Sequence, residues 1–354
     1  MSGNAANIFR PVAPPRIIEN AFTDDQHRRM FDLVRRKGPW SLILAQHFKS
    51  PDEVLATTSG KVPDGVKLTW DMFLSPVFRG YFAQGHTCLY PEMEDCFFNQ
   101  KFLDLVRGYW KAAYARPESM LFNLQGPCSG SKTPHVDATN FRGLSYQTTP
   151  VWLMNMMVKS GLFKRWQAHK AQVIAWYYKG RVGGGFNYWP DGIQAAPQQI
   201  KAPMWGRAVV VENEMMYHTA EANGPSALRR PPGLDIGSLI GADPATADGW
   251  QITTGDEVIQ RLPAEEMRFL VHWGADIFMD FDELKMTLDH SDDISHAQVF
   301  DMFVADLRRR GETFSMPSDP MTDQTFIQLL MRVYDPGVPA VFPAEPSEET
   351  AAAE

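Results

Sequence analysis

Cysteine is scarce in this chain: Cys88, Cys96 and Cys128 are the only three among 354 residues, and they form no CxxC pair. An odd, dispersed set of this kind excludes a disulfide framework and reads as reduced, partly buried thiols. Long apolar runs are missing as well. No stretch approaches the roughly 18 residues that a membrane span requires, and Met1 to Arg10 lacks the basic and apolar regions of a secretory signal, so a cytoplasmic location is the expectation. Nor is there a concentrated Lys/Arg face. With 34 basic against 42 acidic residues the formal net charge is -8, which argues against a nucleic-acid or anionic-membrane partner and leaves a small molecule as the expected one. Internal repeats and phosphate-binding glycine motifs are also absent. The run Gly183-Gly184-Gly185 is followed by neither GKS/T nor GxGxxG and therefore reads as a permissive turn.

What is present suits one catalytic domain over residues 1-354, since 44% hydrophobic residues in a chain of this length can fill one large core. A proline-bearing lead-in (Pro11, Pro14, Pro15) and an Ala/Glu-rich tail from Pro343 to Glu354 frame it. Residues 16-118 read as largely helix and loop. Asp24-Asp25 followed by Met30, Phe31, Leu33 and Val34 gives a helix over Thr23 to Lys37, and Phe102, Leu103, Val106 and Trp110 make one apolar stripe between Asn99 and Ala115. From Ser119 to Ala275 the pattern turns to strands: Met120 to Gln125, Ala171 to Tyr178, Gly206 to Glu212 and Met267 to Trp273, separated by turn residues. Val151 to Val158, within 147-167, reads as a helix inserted among them. Helices return over 290-335, with Ser295 to Arg310 closed by Gly311 and a second run capped by Thr322 or Asp323. Short strands broken by turns indicate a sandwich or barrel rather than a parallel α/β sheet.

The chemistry concentrates in His135-Val136-Asp137 and, far downstream, His218. On an extended segment side chains alternate, so His135 and Asp137 project to the same side and can reach one ion together. A third ligand must then arrive from a neighbouring strand, and His218 follows the strand Ala208 to Glu212. Two imidazoles and one carboxylate on one face of an ion leave the other positions open, the set that suits non-haem Fe(II). His27, His47, His86, His169, His290 and His296 read as ordinary histidines, and His272 as a core or supporting group behind the ligands. Arg142 reads as a local ion pair.

In this order and spacing, the HxD pair, the turn Gly184-Gly185-Phe186 before Pro190-Asp191-Gly192, and the distal His218 resemble the Fe(II)/2-oxoglutarate-dependent oxygenase superfamily, in its phytanoyl-CoA hydroxylase and prolyl hydroxylase style. The resemblance covers about residues 119 to 275. It implies a mainly β fold with flanking helices around a double-stranded β-helix, the cupin-like jelly roll. It implies Fe(II), 2-oxoglutarate and O2 as cofactor and co-substrates, with oxidation of a substrate C-H bond, most often hydroxylation, and release of succinate and CO2. The intact Asp137 speaks against halogenation. Such relatives grip the far carboxylate of the oxoacid with a basic residue opening the strand after the distal His. The usual spacing points to Arg229 or Arg230, but Pro231-Pro232 fits a strand poorly. Arg268 opens a well-formed strand and is favoured, with Ser226 to Glu265 read as an insertion. Asn123 and Gln125 are candidates for the oxoacid's near carboxylate. Substrate contacts are expected on Trp152 to Phe163 and around Trp40 and His47. Two other classes stay open: a cupin-like metal enzyme that uses no oxoacid, and a non-catalytic sandwich.

Overall fold

The computed structural model describes residues 9-58, 65-130 and 134-346, so the outer ends of the lead-in and of the tail lie outside the described residues. In chain order the first part holds β1 (Arg16-Glu19), α1 (Asp24-Lys37), β2 (Trp40-Ser41), α2 (Ile43-His47), α3 (Pro51-Thr57), β3 (Val77-Gln84), β4 (Thr87-Cys88), α4 (Glu94-Phe97) and α5 (Gln100-Trp110). Then come β5 (Tyr114-Gln125), α6 (Val151-Ser160), β6 (His169-Tyr178), β7 (Phe186-Trp189), β8 (Gln198-Ile200), β9 (Met204-Val211) and β10 (Tyr217-Ala220). The remainder is β11 (Leu239-Ala242), β12 (Trp250-Thr254), β13 (Glu257-Leu262), β14 (Arg268-Phe278), α7 (Phe281-Leu288), α8 (His296-Arg309) and α9 (Gln324-Tyr334). Among the described residues no helix is long and apolar enough to cross a membrane.

Two antiparallel sheets face each other. The larger has the order β1-β9-β6-β14-β5-β3-β4 and the smaller β10-β7-β8, widened by a bridge between His135 and His218. From β5 the chain crosses to the His135 segment, returns to β6, crosses to β7 and β8, returns to β9, crosses to β10 and ends in β14. That alternation between two packed sheets is a jelly roll, so the fold is mainly β with flanking helices as the sequence implies.

The first part differs from the helix-and-loop expectation. It contributes β1, β3 and β4 to the large sheet, and β5 already starts at Tyr114. In β3 the apolar residues do not keep to one side: Phe78 and Phe82 enter the core, while Val77, Arg79 and Tyr81 line a cavity. A strand covered on both faces lacks a clean polar/apolar alternation. Residues 226-265 hold three strands, β11 to β13, which join β2 in a separate four-stranded sheet, β13-β12-β11-β2.

The helices form where local chemistry favours them. Thr23 caps α1 reciprocally with Gln26, Asp24 and Asp25 lie at its positive end, and Arg35, Arg36 and Lys37 at its negative end. Ser295 and Gln298 form the same box at α8, and Asp323 caps α9. One core lies between the large sheet and α1 and α5, around Val34, Phe102, Phe122 and Trp273; a second joins α6, α8 and α9 to Val136, Trp189 and Tyr217 of the small-sheet side. The cysteines are free thiols, as expected.

Candidate metal centre and cavity

β14 makes the floor of the site. Its period-two alternation sends Phe269, Val271 and Trp273 into the core and Arg268, Leu270, His272 and Gly274 into a cavity of about 940 Å³ between the sheets. The same cavity is lined by His135, Asp137 and His218, by Asn123 and Gln125 from β5, and by Arg229 and Arg230.

His135 stands on a two-residue bridge rather than in a regular strand. Its N-H donates to the His218 carbonyl (3.1 Å), the His218 N-H returns the bond (2.9 Å), and the Asp137 N-H donates to Asn213 O (3.1 Å). Val136, between them, is buried in the helix-covered core, so His135 and Asp137 face the cavity together. Asp137 Oδ1 lies 3.5 Å from His218 Nε2 and 3.8 Å from His135 Nε2, and the three atoms lie within 4.8 Å of one another. Together the three could hold one metal ion. His218 Nδ1-H donates to the Met216 carbonyl (3.0 Å), which turns the Nε2 lone pair toward Asp137. Asn213 Nδ2 donates to Asp137 Oδ2 (3.3 Å) and leaves Oδ1 for an ion. Burial works against charge on Asp137, but His218, through its charge and hydrogen bond, outweighs it and holds the carboxyl well below its ordinary range. Two imidazoles and an ionised carboxylate converging in this way fit a divalent transition metal.

Supporting groups appear that the sequence reading missed. Gln172 on β6 accepts from the Asn213 N-H (3.0 Å) and donates to the buried Glu214 carboxyl, so a hydrogen-bonded chain runs from the large sheet to the Asp137 side chain. Burial, reinforced by Asp137, pushes Glu214 up to about 7. Their only signal was position, Asn213-Glu214 directly after β9 and before His218. His272 is held neutral, lowered to about 4 by burial, on the Arg268 side of its strand as expected.

Arg268 is 1% exposed, and burial lowers its pKa only to about 10, so it stays a cation. Its Nε donates to Gly184 O (2.7 Å), Nη2 to Gly185 O (3.3 Å) and Nη1 to Gln125 Oε1 (3.2 Å). These bonds engage three of the five guanidinium N-H groups, and no carboxylate pairs with it among the described residues. Gln125 is fully occupied as a brace, since its amide also donates to Asn223 Oδ1 (2.6 Å) and Cys128 Sγ (2.8 Å). Asn123 accepts from Arg79 Nε (2.9 Å). Arg229 bonds the Gly224 carbonyl (3.0 Å), and Arg230 is exposed at the rim. Of the residues expected at a substrate, His47 and Asn155 line the cavity, whereas Trp40 packs on Phe122 in the core. Arg142 pairs locally with Asp292 (3.0 Å).

The glycine turn is a packing requirement. Gly184 has φ +84°, and a Cβ on Gly185 would lie 2.4 Å from Ile200 O and 2.8 Å from Glu221 Oε2. Gly185→Ala is expected to lower stability by roughly 1-3 kcal/mol in urea unfolding, because the main chain that carries the Arg268 acceptors must shift.

No family model and no curated protein matches the sequence. Several solved structures are similar. A 2OG-Fe(II) oxygenase family oxidoreductase from Burkholderia pseudomallei is 11% identical, with a TM-score of 0.37 over 75% of this chain and 87% of that one. A Pseudomonas putida prolyl-4-hydroxylase is 10% identical, with a TM-score of 0.33 over 77% and 98%. The non-heme alpha ketoglutarate dependent carbocyclase SnoK from nogalamycin biosynthesis is 11% identical, with a TM-score of 0.38 over 78% and 84%.

Proposed function

We propose that this chain is an Fe(II)- and 2-oxoglutarate-dependent oxygenase that oxidises a C-H bond of a small molecule, by hydroxylation in the simplest case, with succinate and CO2 as co-products. One observation carries the reading: a single cavity joins a His-Asp-His set on the small-sheet side to a buried guanidinium without a carboxylate partner on the large-sheet side. His135, Asp137 and His218 would hold Fe(II), and Arg268, braced by Gln125 and the glycine carbonyls, would take the far carboxylate of the oxoacid through its planar fork. Bound there, the metal and the oxoacid supply the oxidising chemistry. The protein's own part is positional. Gln172 and Asn213 fix the orientation of Asp137, Met216 O fixes the His218 tautomer, and neutral His272 adds no positive charge beside the ion.

The test is anaerobic titration of Fe(II)-loaded protein with 2-oxoglutarate, following the weak visible charge-transfer band of bidentate chelation, in wild type, Arg268→Ala and Arg230→Ala. The band is expected in wild type and Arg230→Ala and is expected to need at least about tenfold more oxoacid in Arg268→Ala, the loss of a charge-assisted pair. Absence of the band from iron-loaded wild type would refute the reading in favour of an oxoacid-independent metal enzyme.

A further inference from the structure

Arg79 stands on β3, directly across from Asn123 of β5, and reaches into the cavity from the side of β5 opposite to Arg268. Its Nε donates to Asn123 Oδ1 (2.9 Å) and its Nη1 to His47 Nε2 (3.2 Å), a nitrogen that Tyr81 Oη also approaches at 3.2 Å. A guanidinium can only donate, so His47 Nε2 is the acceptor and its ring proton sits on Nδ1. Burial, reinforced by Arg79, lowers His47 to about 3, and the imidazole is neutral. Two of five donors are thus engaged, and no acidic side chain pairs with Arg79 among the described residues.

The acids around the cavity are otherwise employed. Glu118 pairs with Lys170 (3.1 Å), Asp137 belongs to the metal set, Glu214 is bound by Gln172, and Asp71 is exposed at the rim. The same cavity has apolar lining from Leu44, Val54, Leu74, Val77 and Leu121. Asn155 also lines it, 0% exposed, with neither its side-chain oxygen nor its nitrogen hydrogen-bonded. A held cation without a counter-ion, sharing one cavity with apolar walls and an unsatisfied amide, is a place made for a ligand group.

Resting on the oxygenase reading, we propose that the substrate is a carboxylic acid with an apolar body: its carboxylate sits on the free fork of Arg79, and the body runs along Leu44, Val54 and Leu121. A single cation beside a neutral imidazole matches a monoanion, whereas a phosphate dianion would keep one charge uncompensated.

Calorimetric titration tests this with octanoate and its neutral isostere octanamide as probes. The protein is loaded with Fe(II) and 2-oxoglutarate and kept free of oxygen, so that the metal and Arg268 are already occupied. Wild type is expected to bind octanoate about 10- to 100-fold more tightly than octanamide, the range for a charge-assisted hydrogen-bonded pair. Arg79→Gln should bring the two probes within about twofold of each other, while Arg79→Lys, which keeps the charge but not the fork, keeps part of the preference. Equal affinities in wild type, or an undiminished preference in Arg79→Gln shown by thermal melting to be folded, overturn the proposal. Should Arg79→Gln not fold, an undiminished preference in Arg79→Lys overturns it as well. A failure of the oxygenase reading is separately visible as a missing charge-transfer band, and the same two probes titrated without 2-oxoglutarate then decide the role of Arg79.

Discussion

Asp137→Ala is expected to weaken Fe(II) binding by at least about 100-fold and to abolish turnover, beyond the 10- to 100-fold that loss of a merely supporting residue costs. Asp137 supplies the only negative charge among three converging ligand atoms, at 3.5 and 3.8 Å from the two Nε2 atoms. Without it two neutral imidazoles remain, which is a weaker and less selective set for a hard, oxygen-accepting ion. The cleanest readout is metal-dependent stabilisation: a ligand at about 100 times its dissociation constant adds about 2.7 kcal/mol to the folded state. Wild type should show that shift on adding Fe(II) anaerobically, and Asp137→Ala should not, while Asn213→Ala, which only frees the second carboxylate oxygen, falls between them. A shift of wild-type size in Asp137→Ala would remove this triad as the metal site.

Lys170→Met should destabilise the protein by about 3-5 kcal/mol near neutral pH, the cost of leaving buried charges without their partner. Lys170 Nζ lies 3.1 Å from Glu118 and 3.7 Å from Asp276, and all three side chains are almost wholly buried beneath the cavity. Arg116 and His86 also reach Asp276, at 3.0 and 3.5 Å, but Glu118 has no second cation so near. Burial opposes both charges of the pair, and attraction wins: Lys170, with Ser119 and His86, holds Glu118 below its ordinary value, while Glu118 and Asp276 hold Lys170 above its own. A carboxyl depressed by folding stabilises above its unfolded pKa and loses that contribution as pH falls. An amine raised by folding stabilises below its unfolded pKa and loses it as pH rises. The pair therefore acts between about pH 4.5 and 10.5, the ordinary values of the two groups. In Lys170→Met the orphaned Glu118 carboxylate can take up a proton, so the deficit should be greatest near neutrality and shrink as the solution is acidified. Denaturant midpoints of both proteins across pH 4 to 8 check this, and a deficit independent of pH would mean that packing rather than charge is lost. Removing both partners in Glu118→Leu/Lys170→Met should cost less than Lys170→Met alone.

Much of this site could be read in the residues because its logic is local. His135 and Asp137 share a side through the two-residue period, and Arg268 was favoured over Arg229 and Arg230 because proline disfavours a strand while Arg268-Phe269-Leu270-Val271 favours one, a strand that the fold does contain. Helices α1, α8 and α9 follow from caps and apolar periodicity for the same reason. What escaped is non-local. β3 packs on the core with one face and lines the cavity with the other, so its stretch of sequence was not read as a strand, and only its pairing with β5 brings Arg79 to Asn123 and His47. Gln125 was readable as a polar group near the site, but its part as a brace depends on Asn223, Cys128 and Arg268 meeting from distant parts of the chain. The strands β11 to β13 were taken into an insertion because their partner, β2, is only Trp40-Ser41.

The position of β14 bears on how the polypeptide is made. Among the described residues it is the last strand in chain order, yet it lies in the middle of the large sheet, and without it that sheet is two halves, β4-β3-β5 and β6-β9-β1, with no strand-to-strand backbone pairing between them. All three candidate ligand residues are translated before it. A nascent chain that has passed His218 but not Phe278 therefore carries all three candidate ligands together with two raw strand edges, the feature that invites pairing with other chains. Closure of the sheet and arrival of Arg268 are one event, since the same strand brings both. A product truncated before that point is work for chaperones and proteases, not a half-active enzyme.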